Sequence, residues 1–187
     1  MSGGHGHVDS SNKKVAMLIA VLALVLAISE TLGKSAQTAG VSANIEASNL
    51  WAFYQAKTVR RTIVRTAAQQ AEAQLPFLEP KAHDALEKRV KGWREDSERY
   101  DSEPETGEGR KELAARAKAA EKKRDYSLAA YHHFEYASAA VQIAIVLASA
   151  EVITGVAALV WLSGALGIAG IVFCAIGLFW PTAVHLF

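Results

Sequence analysis

The chain has 187 residues, 51% of them hydrophobic and 21% charged, with a formal net charge of +1. That balance excludes the strong basic excess of a nucleic-acid binder, and a single cysteine, Cys174, excludes an intrachain disulfide and a cysteine-ligated zinc site. The charges are segregated, since 18 of the 20 Lys and Arg lie between Lys34 and Arg124 and the acidic residues crowd into the same interval.

Residues 1–13 are small and polar without apolar periodicity and read as a disordered tail. His5, His7 and Asp9 within it are too few to define a metal site. Lys13 and Lys14 then precede Val15–Ile28, an unbroken apolar run of 14 residues. Extended to Leu32, the run gives a predicted transmembrane helix over 14–32, about 27 Å long at ~1.5 Å per residue. A signal peptide or an interfacial helix are the alternatives, although no small-x-small cleavage site follows closely. Ala16, Ala20, Ala23 and Ala27 share one face of this helix, and such a stripe lets another helix approach closely. Glu30, at the end of the stripe, reads as a carboxylate at the membrane surface.

Residues 33–135 are expected to form a soluble helical stalk, with helices over about 34–75, 81–100 and 110–135. In the first, Ile45, Ala52, Ala56, Val59 and Ile63 follow helical spacing, with a bend expected near Gly40. Pro76 and Pro80 bracket a break, because proline removes a backbone donor and disfavours helix in the residue before it. In the second, Leu86, Val90, Trp93 and Tyr100 mark an apolar stripe, and Glu87–Lys91 and Glu95–Arg99 are i,i+4 pairs. The stretch DSEPETGEG, residues 101–109, is the clearest loop. From Arg110 nothing breaks the helix before the next apolar run, so one helix is expected from Arg110 to near Leu162. The arms joined at 101–109 would form an antiparallel, coiled-coil-like stalk.

From Tyr136 the chain contains no Lys, Arg or Asp, and Glu151 is its only formally charged residue. Two transmembrane helices are predicted, over 136–162 and 165–187, with a turn at Ser163–Gly164. Small residues at Ala140, Ala144 and Ala148, and at Gly170 and Gly177, support packing between copies. The side of the stalk is contested under the positive-inside rule: Lys13 and Lys14 favour a cytoplasmic N-terminus, whereas Lys118, Lys122, Lys123 and Arg124 favour a cytoplasmic stalk. The larger basic group favours the cytoplasmic stalk.

Three constellations are candidates for function. Glu151 near the middle of a spanning helix is costly unless paired or wetted; it reads either as a proton- or cation-handling group or as structural glue bonded to Thr154, Gln142 or a neighbouring helix. Tyr131, His132, His133, Glu135 and Tyr136 read as an interfacial belt, with a metal shared by His132 and Glu135 as the sharper alternative. Trp51, Tyr54, Lys57, Arg60, Arg61 and Arg65 form a basic cluster beside aromatics. It suits either lipid headgroups or stalk packing, with the arginines paired to Glu105, Glu108 or Glu112. The chain has no Gly-rich phosphate loop, nucleophile elbow or zinc spacing, so neither an enzyme nor a cofactor is expected.

Four stretches, SNKKVAMLIAVLALVLAISETLGKSAQT, IEASNLWAFYQAKTVRRT, YDSEPETGEGRKELAARAKAAE and YHHFEYASAAVQIAIVLASAEVITG, together resemble a family of small bacterial membrane proteins. That family is known as a domain of unknown function, number four-three-three-seven. The resemblance runs through nearly the whole chain from Ser11 and implies a bacterial integral membrane protein, without an activity or a ligand to carry over. The expectation is therefore an all-α protein of the bacterial inner membrane, with three transmembrane helices and a helical-hairpin stalk. Its expected partners are the bilayer, further copies of itself and an unidentified membrane or cytoplasmic protein. Its expected role is an oligomeric scaffold, or alternatively an oligomeric channel or transporter that uses Glu151.

Overall fold

The computed structural model describes the backbone of residues 10–183 and the side chains from Lys13 to Ala183, and the predicted tail with His5, His7 and Asp9 lies outside the described residues. Four α-helices account for nearly all of it: α1 (Ser10–Gln74), α2 (Pro80–Asp101), α3 (Arg110–Thr154) and α4 (Ala158–Phe179). No strand occurs among the described residues. The expected first transmembrane helix and first stalk helix are one element, because α1 runs without interruption through both Gly33 and Gly40.

Local chemistry accounts for each boundary. After α1 a 3-10 turn, Leu75–Phe77, carries Pro76, and Leu78 is extended. Pro80 then occupies the first position of α2, where its missing N–H costs nothing. Between α2 and α3 lies the predicted loop, with Gly107 at φ +68°.

The expected turn at Ser163–Gly164 is displaced. α3 stops at Thr154, where Gly155 takes φ +67° and its amide donates to the Glu151 carbonyl at 2.7 Å. A left-handed residue directly after a helix favours glycine, which lacks the Cβ that would clash. Ser163 is instead a buried residue inside α4, and the last four residues of the predicted third span lie outside the described residues.

The helices pack as two compact units. The first comprises the chain up to Val41 and from Arg124 onward. Here α3 buries Ala137, Val141, Ala144 and Ala148 at alternating spacings of four, three and four, the 3.5-residue period of a helix–helix seam. Against that seam α1 places Leu22 and Ser29, and α4 places Ser163, Gly167, Gly170 and Gly177. Close approach is built in: a Cβ on Gly170 would lie 2.5 Å from Val141 Cγ2 and 3.1 Å from the Ala137 carbonyl oxygen. Ser163 Oγ donates to the Ala144 carbonyl at 2.7 Å.

The outward faces of this unit are apolar. Met17, Leu24, Val146, Ile153, Trp161 and Ile168 are all exposed. α1, α3 and α4 each contain a stretch long and apolar enough to cross a membrane.

The second unit spans Ser42–Lys123 and holds the rest of α1, all of α2 and the start of α3. α1 buries Ala43, Ala47 and Leu50 at the same alternating spacing, and Ala47 and Leu50 meet Leu113, Ala117 and Ala120 of α3. Further along, Ala68 and Ala71 meet Val90 of α2, flanked by Leu86 and Trp93. Seams made of alanine bring backbones close but remove little apolar area from water, at ~25 cal/mol per Å². Polar contacts at the edges of the seam therefore carry a larger share of the specificity.

Candidate functional site

The densest polar network lies where α2 hands over to α3, and Lys57 is its centre. Lys57 falls on the buried face of α1 and retains only 6% of its accessible surface. Its Nζ lies 3.6 Å from Glu103 Oε2 and 3.7 Å from Glu108 Oε2, and 5.5 Å from the ring centroids of both Phe53 and Tyr100. A buried ammonium is tolerated only with compensation of this kind.

Arg110, the first residue of α3, spends its fork on three partners at 2.9 Å each: the Thr58 hydroxyl, the Asp101 carboxylate and the Tyr54 hydroxyl. Its guanidinium also lies 5.0 Å over the Tyr54 ring. Asp101, at the end of α2, further receives Arg61 at 3.5 Å and Lys111 at 3.3 Å. Burial pushes the Asp101 carboxyl up, but the Lys111 hydrogen bond and the Arg61, Lys111 and Arg110 charges outweigh it, so the group titrates below its ordinary value.

Glu112, in the first turn of α3, reaches back across the loop and accepts from Ser102 Oγ at 2.7 Å and the Glu103 amide at 3.1 Å. The Ser102 hydrogen bond, followed by that amide, holds its carboxyl below the usual range. Trp51 Nε1 donates to Glu121 at 2.9 Å and its ring meets Tyr54 edge-on. The cluster is thus divided. Trp51, Tyr54, Lys57 and Arg61 turn onto the loop and the facing helices, while Arg60 and Arg65 stay exposed. The acids that answer are Glu103, Glu108 and Asp101, in place of the expected set of Glu105, Glu108 and Glu112.

The five residues of the expected belt do not form one surface either. Tyr131 donates to Glu135 Oε1 at 2.6 Å, and His132 Nδ1 lies 3.4 Å from Glu135 Oε2. Tyr136 packs on Phe173 at 5.8 Å. His133 must be corrected: one residue on is about 100° round the helix, which turns it inward. It is buried, stacks on Phe173 at 6.5 Å and donates from Nε2 to the Pro181 carbonyl at 3.2 Å, while its Nδ1 has no partner. No third ligand joins His132 and Glu135 among the described residues. One other trio, His83, Asp84 and Glu87, brings its ligand atoms within 4.8 Å of one another at the solvent-facing start of α2.

Glu151 is buried at 8% exposure, and its Oε2 has no hydrogen-bond partner. The residues expected to bond it are engaged elsewhere, Thr154 with the Ala150 carbonyl and Gln142 with Glu30. Its position also differs from expectation. With α3 ending at Thr154, Glu151 lies in the last turn beside the Gly155 turn, not in the middle of a spanning helix.

Two structurally important residues were missed in the sequence, one in each unit. Arg110 ties α1 to both other helices of its unit, yet an arginine after a loop carries no distinguishing signal. Gly155 did carry one, the glycine stop of a helix, but apolar residues on both sides mask it.

One family model matches the chain, over residues 11–180, and it is described as a domain of unknown function, DUF4337. No curated protein and no solved structure matches it.

Proposed function

The chain belongs to the DUF4337 family, whose description assigns no activity, and we propose from its geometry that it is a non-enzymatic, oligomeric scaffold of the bacterial inner membrane. α1, α3 and α4 cross the bilayer, and the unit over Ser42–Lys123 stands in water. Two exposed tryptophans mark the ends of α4, Trp161 in its first turn and Trp180 directly after it. They are nineteen positions apart, about 28 Å along a helix, close to the ~30 Å hydrocarbon thickness at whose edges tryptophan collects. Lys118, Lys122, Lys123 and Arg124 favour placing the water-facing unit in the cytoplasm.

The observation that carries self-association is an unpaired face of α1. Ile45, Val59 and Ile63 are 55%, 58% and 62% exposed, with Ala52 and Ala56 exposed between them. This row has no charge. Copies held in one bilayer share one orientation, so the same residues meet at the same level and only a charge-free row is self-complementary. In the membrane-facing unit the Ala16, Ala20, Ala23 and Ala27 stripe is likewise exposed. By contrast, Ala144, Ala148, Gly170 and Gly177, which were expected to pack between copies, are buried within the chain. Within the basic cluster, meanwhile, Lys57 and Arg61 are taken up by ion pairs that shape the fold.

The test is cysteine cross-linking in membranes, in a Cys174→Ser background. Ile63→Cys gives disulfide-linked dimers and Glu87→Cys, exposed on α2, does not; Ile45→Glu combined with Ile63→Glu lowers the mass of the detergent-solubilised particle. A wild-type chain that is monomeric in lipid nanodiscs defeats the scaffold reading. A proton or small-cation path through Glu151 is the second reading, favoured by the orphaned Oε2. Its signature is flux in liposomes that disappears in Glu151→Gln, and the position of Glu151 beside a turn weighs against it.

A further inference from the structure

In the first unit α1 and α3 flank an open groove of about 660 Å³, within the size range of small-ligand sites. Glu30, Lys34, Tyr131, Glu135, Ser138 and Gln142 line it, with Gly33 on its α1 wall. A side chain at Gly33 would crowd Phe134, whose Cβ would be 3.3 Å from the new Cβ. Glycine there lets α1 and α3 approach closely at the floor of the groove.

The charges inside the groove are not spent on one another. Glu30 and Lys34 are i,i+4 in the orientation that favours an ion pair on a helix, yet they make none. Glu30 Oε1 instead accepts from Gln142 Nε2 at 3.3 Å. Lys34 has no ion-pair partner among the described residues. Glu135 is oriented by the Tyr131 hydroxyl and His132. A carboxylate offers about four acceptor positions, so both acids keep capacity for a donor from outside. The site therefore presents two carboxylates with acceptor positions to spare and one ammonium without an ion-pair partner. Its position is equally specific, because Glu30 follows the apolar run Val15–Ile28 by two residues, where lipid headgroups lie in the membrane-spanning reading.

We infer that this groove binds the headgroup of a zwitterionic aminophospholipid, with the lipid ammonium between Glu30 and Glu135 and the phosphodiester on Lys34. The inference rests on the membrane-spanning reading. A primary ammonium donates three hydrogen bonds, which a quaternary choline cannot supply, and two carboxylates against one lysine disfavour a purely anionic headgroup. The groove continues along Ser138 and Gln142 into the apolar stretch of α3, which gives the glycerol and the start of an acyl chain a path into the bilayer.

The test uses the full chain in detergent, with phosphatidylethanolamine, phosphatidylcholine and phosphatidylglycerol of identical acyl chains, and retention read by native mass spectrometry. Phosphatidylethanolamine is retained about tenfold over the other two, and Glu30→Gln or Glu135→Gln removes about a tenfold share, the scale of one charge-assisted hydrogen bond. Lys34→Gln weakens all phosphate-bearing lipids together. Equal retention of phosphatidylglycerol, or a Glu30→Gln chain with undiminished preference, overturns the inference. Free phosphoethanolamine binding as tightly as the lipid overturns it in favour of a soluble zwitterion. An alkaline wash of membranes separates the two levels: a chain that stays embedded but shows no preference fails this inference alone, and a chain that washes off fails the spanning reading beneath it.

Discussion

Replacing Lys57 by methionine tests whether the loop is held by charge. Methionine keeps most of the apolar stem, so the ammonium is the main loss. Two ion pairs are removed, at 3.6 and 3.7 Å, but their acids are 23% and 51% exposed and therefore partly screened. Each pair is worth about 0.5–1 kcal/mol, in the range of surface pairs. The contacts over Phe53 and Tyr100 add about 0.5 kcal/mol each. Against this, methionine relieves the desolvation of a buried cation. The net expectation is a loss of about 1–2 kcal/mol, or roughly a 5–30-fold increase in local opening. Hydrogen exchange on the full chain in detergent reads this directly at the Glu103 amide, bonded to Glu112, and the Gly107 amide, bonded to the Glu103 carbonyl. Pairing Lys57→Met with Glu103→Gln in a double-mutant cycle should return a coupling of at least about 0.5 kcal/mol. Exchange that is unchanged or slower in Lys57→Met would refute the reasoning, because it would mean that desolvation outweighs every contact the ammonium makes.

The same loop has a pH signature. Asp101 and Glu112 are held below their ordinary values, so the unfolded chain binds more protons, and the stabilisation is complete above about pH 5 and lost progressively as pH falls further. Exchange across residues 102–112 should accelerate in that acid window; acceleration that begins near neutrality would point to another group. At the N-terminus of α3, Gly109→Ala would drive a methyl group into the Glu112 carboxylate, the Glu103 amide and Ser102 Cα, at a cost of about 1–3 kcal/mol for an overpacked site; exchange at Glu103 and Gly107 reports it, and wild-type rates would refute the close approach. In the membrane-facing unit Gly170→Val should lower the thermal aggregation temperature in detergent by several degrees, because the backbone carbonyl of Ala137 cannot yield as a side chain can. Ser163→Ala should cost only about 0.6 kcal/mol, typical of a hydrogen bond between membrane helices, and a loss as large as that of Gly170→Val would contradict the ranking.

Most of the architecture was legible where the chain uses strong punctuation. Pro76, Pro80 and the acidic, glycine-containing loop ended helices where expected, and apolar runs of sufficient length marked the three candidate spans. Legibility failed where the signal is a single glycine in an apolar background. Apolar neighbours mask the stop signal of Gly155, so the turn was expected eight residues later and Glu151 was expected within a helix instead of in its last turn. The small-residue stripes were half legible for a related reason: spacing says that residues share a face but not which face is covered from within the chain, and Ala144 and Ala148, expected between copies, are buried inside it. Ala16, Ala20, Ala23 and Ala27 lie outward, while Val15, Leu22 and Ser29 took the inner side. In the basic cluster, helical spacing put Lys57 and Arg61 on one side, but the acids that meet Lys57 sit on an irregular loop and Asp101, which meets Arg61, is the last residue of α2. No periodic rule can say which glutamate of DSEPETGEG arrives.

The unbroken course of α1 bears on how such a chain can change its length. Each residue advances a helix by about 100°, so one inserted or deleted codon within α1 would swing every later seam position away from its partner, exposing Ala47 and Leu50 and burying charges in their place. A seam repeating every seven residues tolerates gain or loss only in whole heptads, matched on the facing helix. The stretch between Asp101 and Arg110 has no heptad to keep, and its constraints are local: Glu103 and Glu108 reach Lys57, Glu112 holds Ser102 and the Glu103 amide, and Gly109 packs against Glu103. Length differences among related chains should therefore gather there, and divergence elsewhere should proceed by substitution.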